Sequence, residues 1–478
     1  MGYEAPAAQI FTGPAAVLSD WDGRQRAYLR ARVLADGPKA TALAMIEGLV
    51  AELAPEALAD LPAAAVAARE RLSLVALNAA ALVALRRDDW RAAEELAGEV
   101  VARDHHDLPA QRIVDAARRR SAELTDETDL WLRDRFCSAP FEQIETRTNG
   151  AVHFCCSGWQ PVPIGDLASG AEAMWNSENA REIRRSILDG DFSHCSRWHC
   201  LPIAARHLPR RAEVAAVGGP MAEVVRARAT RLAAPPARVI LSHDRSCNIA
   251  CPSCRSDVIQ LDHARSRELD TLFDTSLLPL LTEARAIKVT GSGDPFGSRH
   301  FRSILRRIPV LAGQRRIQLH TNGLLFDQRA WVELELEGKV DSVWISIDAA
   351  RPETYAVLRR GGDFAALLRN LDFLGTLRRH DAFNSLRLDF VVQAGNYREM
   401  GAFVDLARRV GADGVYFLRL RNWGHLSPAR FREIDICDAR HPEHGALRDM
   451  LADPRLGAAN VELGTLARLA PAPLSARP

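Results

Sequence analysis

The sequence predicts an α/β protein: a partial (βα)6 TIM-like barrel over residues 236–430, preceded by a small α+β cysteine-rich module and an all-α N-terminal domain. Three observations carry this expectation. After Pro236, six short apolar runs alternate with helical stretches, the pattern of a parallel sheet with right-handed crossovers. Eight of the nine cysteines fall between Cys137 and Cys254, which marks the middle of the chain for metal or catalysis. Residues 22–125 are dominated by alanine, leucine, arginine and glutamate, all good helix formers.

Bulk composition narrows the class further. A chain of 478 residues with 47% hydrophobic content has material for two to four domains with sizeable cores. A net charge of +1 lacks the basic excess of a nucleic-acid footprint. Met1 to Asp20 has no basic segment followed by a continuous apolar run, and no stretch approaches the roughly 18 apolar residues of a membrane span. A reducing cytoplasm is the expected home, where grouped cysteines mean metal or catalysis more often than disulfides.

In chain order, residues 1–130 read as the helical domain. Apolar residues recur at helical spacing in Leu74, Leu77, Ala81, Leu82 and Leu85, and again in Ala93, Leu96, Val100 and Val101. Asp88-Asp89 separates two helices. Leu82 to Ala116 is similar to one tetratricopeptide-type hairpin, but such arrays need several repeats, so a plain helical bundle is the first reading.

Residues 131–205 lose the helical period until about Ala171. Asn149-Gly150 between Ile144-Glu145-Thr146 and Val152-His153-Phe154 predicts a hairpin with type I′ turn chemistry. That hairpin brings Cys137 towards Cys155, and Cys195 and Cys200 arrive after the following helix. Four thiolates define a second metal site, suited to structural zinc as readily as to an iron–sulfur cluster. His194 and His199 flank the last pair and are expected beside the metal, since thiolates already fill four places. Residues 206–235 read as a linker rich in alanine, arginine and proline.

Strands are expected at Val239–Ser242, Ala286–Thr290, Arg316–His320, Ser342–Ile347, Leu386–Gln393 and Gly414–Arg419, with helices such as Phe301–Leu311 and Pro352–Leu377 between them. In such a fold the chemistry collects at the carboxyl ends of the strands. Each predicted strand runs into polar or glycine-rich residues. Cys247, Cys251 and Cys254 follow the first, and Gly291-Ser292-Gly293-Asp294 the second. Thr321-Asn322-Gly323 follows the third, Asp348 the fourth, Gln393 to Asn396 the fifth, and Arg421-Asn422-Trp423 the sixth.

Three thiolates at spacings of four and three converge on one point, and no further Cys or His in the loop closes a zinc site. An iron–sulfur cluster with one open iron fits this set better than zinc. His320 reads as a pocket-wall residue, and no catalytic residue is assigned. The tail, residues 431–478, is rich in proline and alanine, and Cys437 within it reads as a packed or surface thiol.

The Cys-x3-Cys-x2-Cys loop after a first strand resembles the signature of the radical S-adenosylmethionine (SAM) superfamily over about residues 236–425. Ser253 stands where that family often has an aromatic residue. The resemblance implies a [4Fe–4S] cluster on Cys247, Cys251 and Cys254 that binds SAM. It further implies cofactor contacts from Gly291, Ser292, Gly293 and Asp294, with Asp294 taking the methionyl ammonium. Asn322, Ser346, Asp348, Arg360 and Gln393 complete the implied set, Ser346 and Asp348 meeting ribose hydroxyls or lining the substrate cavity, and Arg360 either facing the SAM carboxylate or standing solvated at a helix end.

Residues 131–205 resemble the SPASM/twitch module, which implies an auxiliary [4Fe–4S] cluster on Cys137, Cys155, Cys195 and Cys200. Cys155 is preferred to Cys156 because it follows Gly150 at the family's Gly-x4-Cys step. The closing Cys-x4-Cys spacing and the position ahead of the barrel depart from the family pattern.

The implied activity is reductive cleavage of SAM, with a reductant such as flavodoxin or ferredoxin, and hydrogen abstraction from a peptide or protein. A sugar or aminocyclitol epimerase or dehydrogenase is the alternative substrate reading. A non-catalytic metal-stabilised scaffold is the alternative of another class.

Overall fold

The computed structural model describes residues 127–470 almost throughout, except 158, 161, 197–199, 291, 309–313, 422–425 and 427. Ahead of residue 127 it describes only 77, 78, 81, 93, 94, 96–98, 100, 110, 111, 113 and 114. Contacts divide the chain into two compact units: residues 1–133 with 195–197, and the remainder. In the first unit the described positions from Leu77 to Val114 are helical, and Ala81, Ala93, Ala97 and Val100 are fully buried. The rest of the predicted hairpin lies outside the described residues.

The second unit is built on one sheet of ten strands. They are β1 (Gln143–Thr146), β2 (Ala151–His153), β3 (Gly165–Asp166), β4 (Arg238–Leu241), β5 (Ala286–Val289), β6 (Ile317–Thr321), β7 (Val340–Ser346), β8 (Ser385–Val392), β9 (Gly414–Arg419) and β10 (Val461–Glu462). The order is β10-β9-β8-β7-β6-β5-β4-β1-β2-β3, with only the β1–β2 and β2–β3 pairs antiparallel. Six parallel strands in sequence order, β4 to β9, stand within two residues of their predicted bounds.

Two features were not expected. The cysteine-rich module does not form a sheet of its own: β1 pairs in parallel with β4, so its hairpin extends the main sheet. The C-terminal tail likewise supplies β10 to the far edge, parallel to β9.

Period-two alternation explains why this sheet forms. Val239, Leu241, Ile287, Val289, Ile317, Leu319, Val343, Ile345, Leu386, Leu388 and Phe417 are all fully buried on one face. Each such side chain contributes about 1.5–3 kcal/mol when taken out of water. The other face carries a polar and aromatic row, Lys288, His320, Trp344, Ser346, Arg387, Asp389 and Tyr416, together with Ile240, Val391 and Leu418.

Helices between strands include α1 (Glu178–Asp189), α2 (His263–Leu272), α3 (Arg299–Arg307), α4 (Gln328–Glu333), α5 (Phe364–Arg379) and α6 (Met400–Val410). Ser177, Asp262, Ser298, Asp327 and Asp363 cap the first five by accepting from backbone N–H groups of the first turn.

Several local expectations are corrected. The Asn149-Gly150 turn is not type I′, because Gly150 alone has positive φ (86°) there. Its N–H bonds the Arg147 carbonyl at 2.9 Å, closing a turn that has the glycine at its last position. The stretch Pro352–Leu377 is two helices, Pro352–Leu358 and α5, broken at Gly361-Gly362. Gly361 takes φ 90°, and a Cβ on Gly362 would lie 2.7 Å from the Tyr355 ring. The linker forms helices Arg211–Val217 and Gly219–Ala227, then runs along the module. There the Ala234 carbonyl accepts from Trp175 Nε1 at 2.8 Å, and the Thr230 carbonyl from Arg184 Nη1 at 2.9 Å. No described helix is long and apolar enough to cross a membrane.

Candidate active site

The loop after β4 is held by its own turns before any cofactor is considered. Cys247 N–H bonds the Ile259 carbonyl at 2.8 Å and closes the loop. Cys254 and Arg255 both donate backbone N–H to the Cys251 carbonyl at 2.9 Å, which curls the last two cysteines back. Asp244 accepts from Ser246 N–H at 2.7 Å and from the Ser298 hydroxyl, tying the loop to the start of α3.

Each of the three sulfurs has an N–H donor of its own. Asn322 Nδ2 stands 3.8 Å from Cys247 Sγ, Arg359 Nη1 3.8 Å from Cys251 Sγ, and Arg255 Nη2 3.3 Å from Cys254 Sγ. Burial pushes the Cys247 thiol up to about 11 and raises that of Cys251. Such thiols stay protonated near neutrality unless a metal takes the proton's place, with donors aimed at the resulting thiolates. Among the described residues no three His, Cys, Asp or Glu side chains are grouped as ligands of one metal ion. The three sulfurs instead share one cavity of about 640 Å³. Soft donors, one N–H per sulfur and a common cavity fit an iron–sulfur cluster held at three corners.

The other strand ends surround this loop. Gly293 lies so close to it that a Cβ there would stand 2.4 Å from the Ser246 carbonyl oxygen. Gly291 is outside the described residues. The Ser292 carbonyl accepts from Arg255.

Asp294 lines the cavity, but protein donors already engage both carboxylate oxygens. Oδ1 accepts from Phe296 and Gly297 N–H at 3.0 and 3.2 Å, and Oδ2 from Thr321 Oγ1 and Asn322 N–H at 2.6 and 2.8 Å. It therefore braces two loops. Asp348 behaves alike: at φ 63° it pairs with Arg359 at 2.8 Å and accepts from Val391 N–H at 2.7 Å.

Arg360 stands as the solvated helix-end arginine, the second of its two readings. It is exposed, donates to the Ser256 carbonyl, and leaves its neighbour Arg359 to face the cavity. Gln393 is buried beside Asn396, does not line the cavity, and has an unpartnered Nε2. Ser346 lines the cavity and bonds His320 Nε2 at 2.9 Å. His320 also stands 3.3 Å from Asp389, and burial lowers its basicity.

The module's cysteines are more widely spaced along the sequence. Cys137 is half-buried, its thiol pushed up to about 11 by burial, and Cys200 precedes the short helix Leu201–Ala204. Cys195 belongs by contacts to the first unit. His199 is outside the described residues. Cys156, not Cys155, lines the cavity, together with Trp159 and Leu201. Cys437 is buried in the main core, where burial pushes its thiol up to about 12.

Sequence reasoning missed the polar rows of the strands: Lys288, Trp344, Arg387, Asp389 and Tyr416 all line the cavity. The signal was present as polar residues alternating with apolar ones inside strands otherwise read as wholly apolar.

Comparison with known proteins follows this division. Residues 241–383 match the model of the radical SAM superfamily, and residues 137–201 that of an iron–sulfur cluster-binding domain. The chain is similar to a GTP 3′,8-cyclase of Pelotomaculum thermopropionicum, 32% identical over 121 residues, covering 25% of this chain and 36% of that protein. It is also similar to a probable GTP 3′,8-cyclase of Saccharolobus islandicus, 26% identical over 198 residues, or 41% and 60% of the two chains. The matches thus span between about one third and three fifths of the curated relatives. Among solved structures, Streptococcus suis SuiB bound to its precursor peptide SuiA aligns at 14% identity and TM-score 0.34, over 51% of each chain.

Proposed function

We propose that this chain, a radical SAM enzyme whose iron–sulfur cluster-binding domain at residues 137–201 precedes its radical SAM domain at 241–383, abstracts hydrogen from a small polar substrate bound in the cavity beside the cysteine loop. The observation that carries the reading is the convergence of Cys247, Cys251 and Cys254 on one cavity, each with its own N–H donor. When bound, the reduced cluster supplies the electron that cleaves SAM to the hydrogen-abstracting 5′-deoxyadenosyl radical.

Cys247, Cys251 and Cys254 would hold that cluster, while Asn322, Arg359 and Arg255 offset the thiolate charge. Gly293 lets the backbone approach the loop closely and leaves room for SAM against it. Asp294 and Asp348 fix the loops that Asn322 and Arg359 stand on. We further infer that β4 to β9 curve into the partial (βα)6 barrel, with the apolar face against the helices and the polar face excluding bulk water from the radical. Cys137, Cys155 or Cys156, Cys195 and Cys200 are the proposed ligands of the auxiliary cluster.

The peptide-substrate expectation rested on the N-terminal helices, most of which lie outside the described residues. A small, charged substrate draws support from the charged cavity wall and from relatives named for GTP, a nucleoside triphosphate. The test is anaerobic purification followed by reduction with SAM. Brown protein that forms 5′-deoxyadenosine supports the reading, and colourless, zinc-loaded protein without cleavage favours the scaffold.

A further inference from the structure

The cavity holds positive charge that neither the three loop cysteines nor the loop braces use. Lys288 projects from β5, with Nζ 3.9 Å from the centroid of the Trp344 ring. Among the described residues no carboxylate stands within ion-pair distance of it, and no acceptor takes its protons. Arg387 stacks on the same ring at 3.4 Å and reaches the Tyr416 ring at 4.7 Å. It spends Nε and Nη2 on Asp389, at 2.7 and 2.9 Å. Arg421, two residues beyond the end of β9, also lines the cavity, and no described carboxylate pairs with it.

The contrast with other cations on the same wall is informative. Arg359 is paired with Asp348 and Arg419 with Asp435, at 2.8 and 2.7 Å. Arg387 too spends part of its fork on Asp389, whereas no described carboxylate pairs with Lys288 or Arg421. A half-buried ammonium left without an acceptor is costly, and the aromatic face of Trp344 offsets only part of that.

We propose that Lys288, Arg387 and Arg421 form an oxyanion subsite that holds a phosphoryl or carboxylate group of the substrate. Lys288 serves as a point charge, and the two guanidinium groups supply directed N–H donors. This inference rests on the reading that a small substrate enters this cavity.

The test uses anaerobically reconstituted holoenzyme saturated with SAM and titrated calorimetrically with inorganic pyrophosphate or with citrate. At least one probe binds saturably, and the tighter of the two names the source of the oxyanion. Lys288→Gln and Arg421→Gln each weaken it at least tenfold, Lys288→Arg recovers most of the affinity, and Arg329→Gln on exposed α4 leaves it unchanged. Three results would overturn the subsite: neither probe binds, binding survives both glutamine variants, or binding occurs only without SAM, which would make the charge the cofactor's own. The same wild-type preparation is assayed for 5′-deoxyadenosine. Absence of that product defeats the enzyme reading, whereas cleavage without anion binding defeats the subsite alone.

Discussion

Two regions of this molecule offer cysteines to a metal, and they assemble them by different means. Cys247, Cys251 and Cys254 lie within eight residues, closed by the Cys247–Ile259 bridge and served by donors from three separate places in the chain. Cys137, Cys155, Cys156 and Cys200 are spread over more than sixty residues, and their positions depend on β1 joining β4 and on the chain after α1. Short spacing writes its geometry into one loop. A dispersed set inherits its geometry from the whole fold, so single residues there are harder to assign.

If that contrast holds, replacing Cys247, Cys251 and Cys254 together by alanine has the largest effect: formation of 5′-deoxyadenosine falls to background while the fold, followed by circular dichroism, persists. Arg359→Met comes next. It strands Asp348 in the interior and removes the donor to Cys251, so denaturant unfolding should show a loss of about 3–5 kcal/mol. Gly293→Ala drives a methyl group into the Ser246 carbonyl. Equilibrium dialysis should then show SAM binding at least tenfold weaker, about 1.4 kcal/mol.

In the other region, Cys137→Ala or Cys200→Ala should lower bound iron from about eight towards about four per chain and reduce SAM cleavage less than the loop variant does. Comparing Cys155→Ala with Cys156→Ala by the same iron count sharpens the assignment, since Cys156 is the one that faces the cavity.

The smallest expected effect is on pH. Burial brings Lys288 down to about 8 from 10.5. Its charge is therefore lost as pH rises through 8, and affinity for an oxyanion falls there. Stability moves the other way: between about 8 and 10.5 the unfolded chain binds the proton and the folded chain does not, so this residue's contribution rises with pH. Calorimetric titrations at pH 7 and 9 check the first, and urea unfolding over the same range checks the second.

What the sequence made legible follows the same physical line. Strands β4 to β9 were readable because each signal is local: a short apolar run bounded by polar or glycine-rich residues. The Arg359–Arg360 pair shows the limit. Which of two adjacent arginines faces the cavity is decided by the Gly361-Gly362 break that ends the preceding helix, and by Asp348 across the fold. The bracing contacts of Asp294 and Asp348 were not legible for a related reason. Their donors, Asn322 N–H and Val391 N–H, come from strand ends 28 and 43 residues away. Lys288 escaped notice because a lone lysine in Ala286–Val289 reads as an edge residue until the whole polar row is assembled.

The most direct measurement is made on the unmodified chain, purified without oxygen, reduced with dithionite and given SAM. Stoichiometric or greater release of 5′-deoxyadenosine, from protein whose iron is retained on the Cys247–Cys254 loop, is the predicted result. Protein that holds its iron there and still leaves SAM intact would contradict the account at its centre.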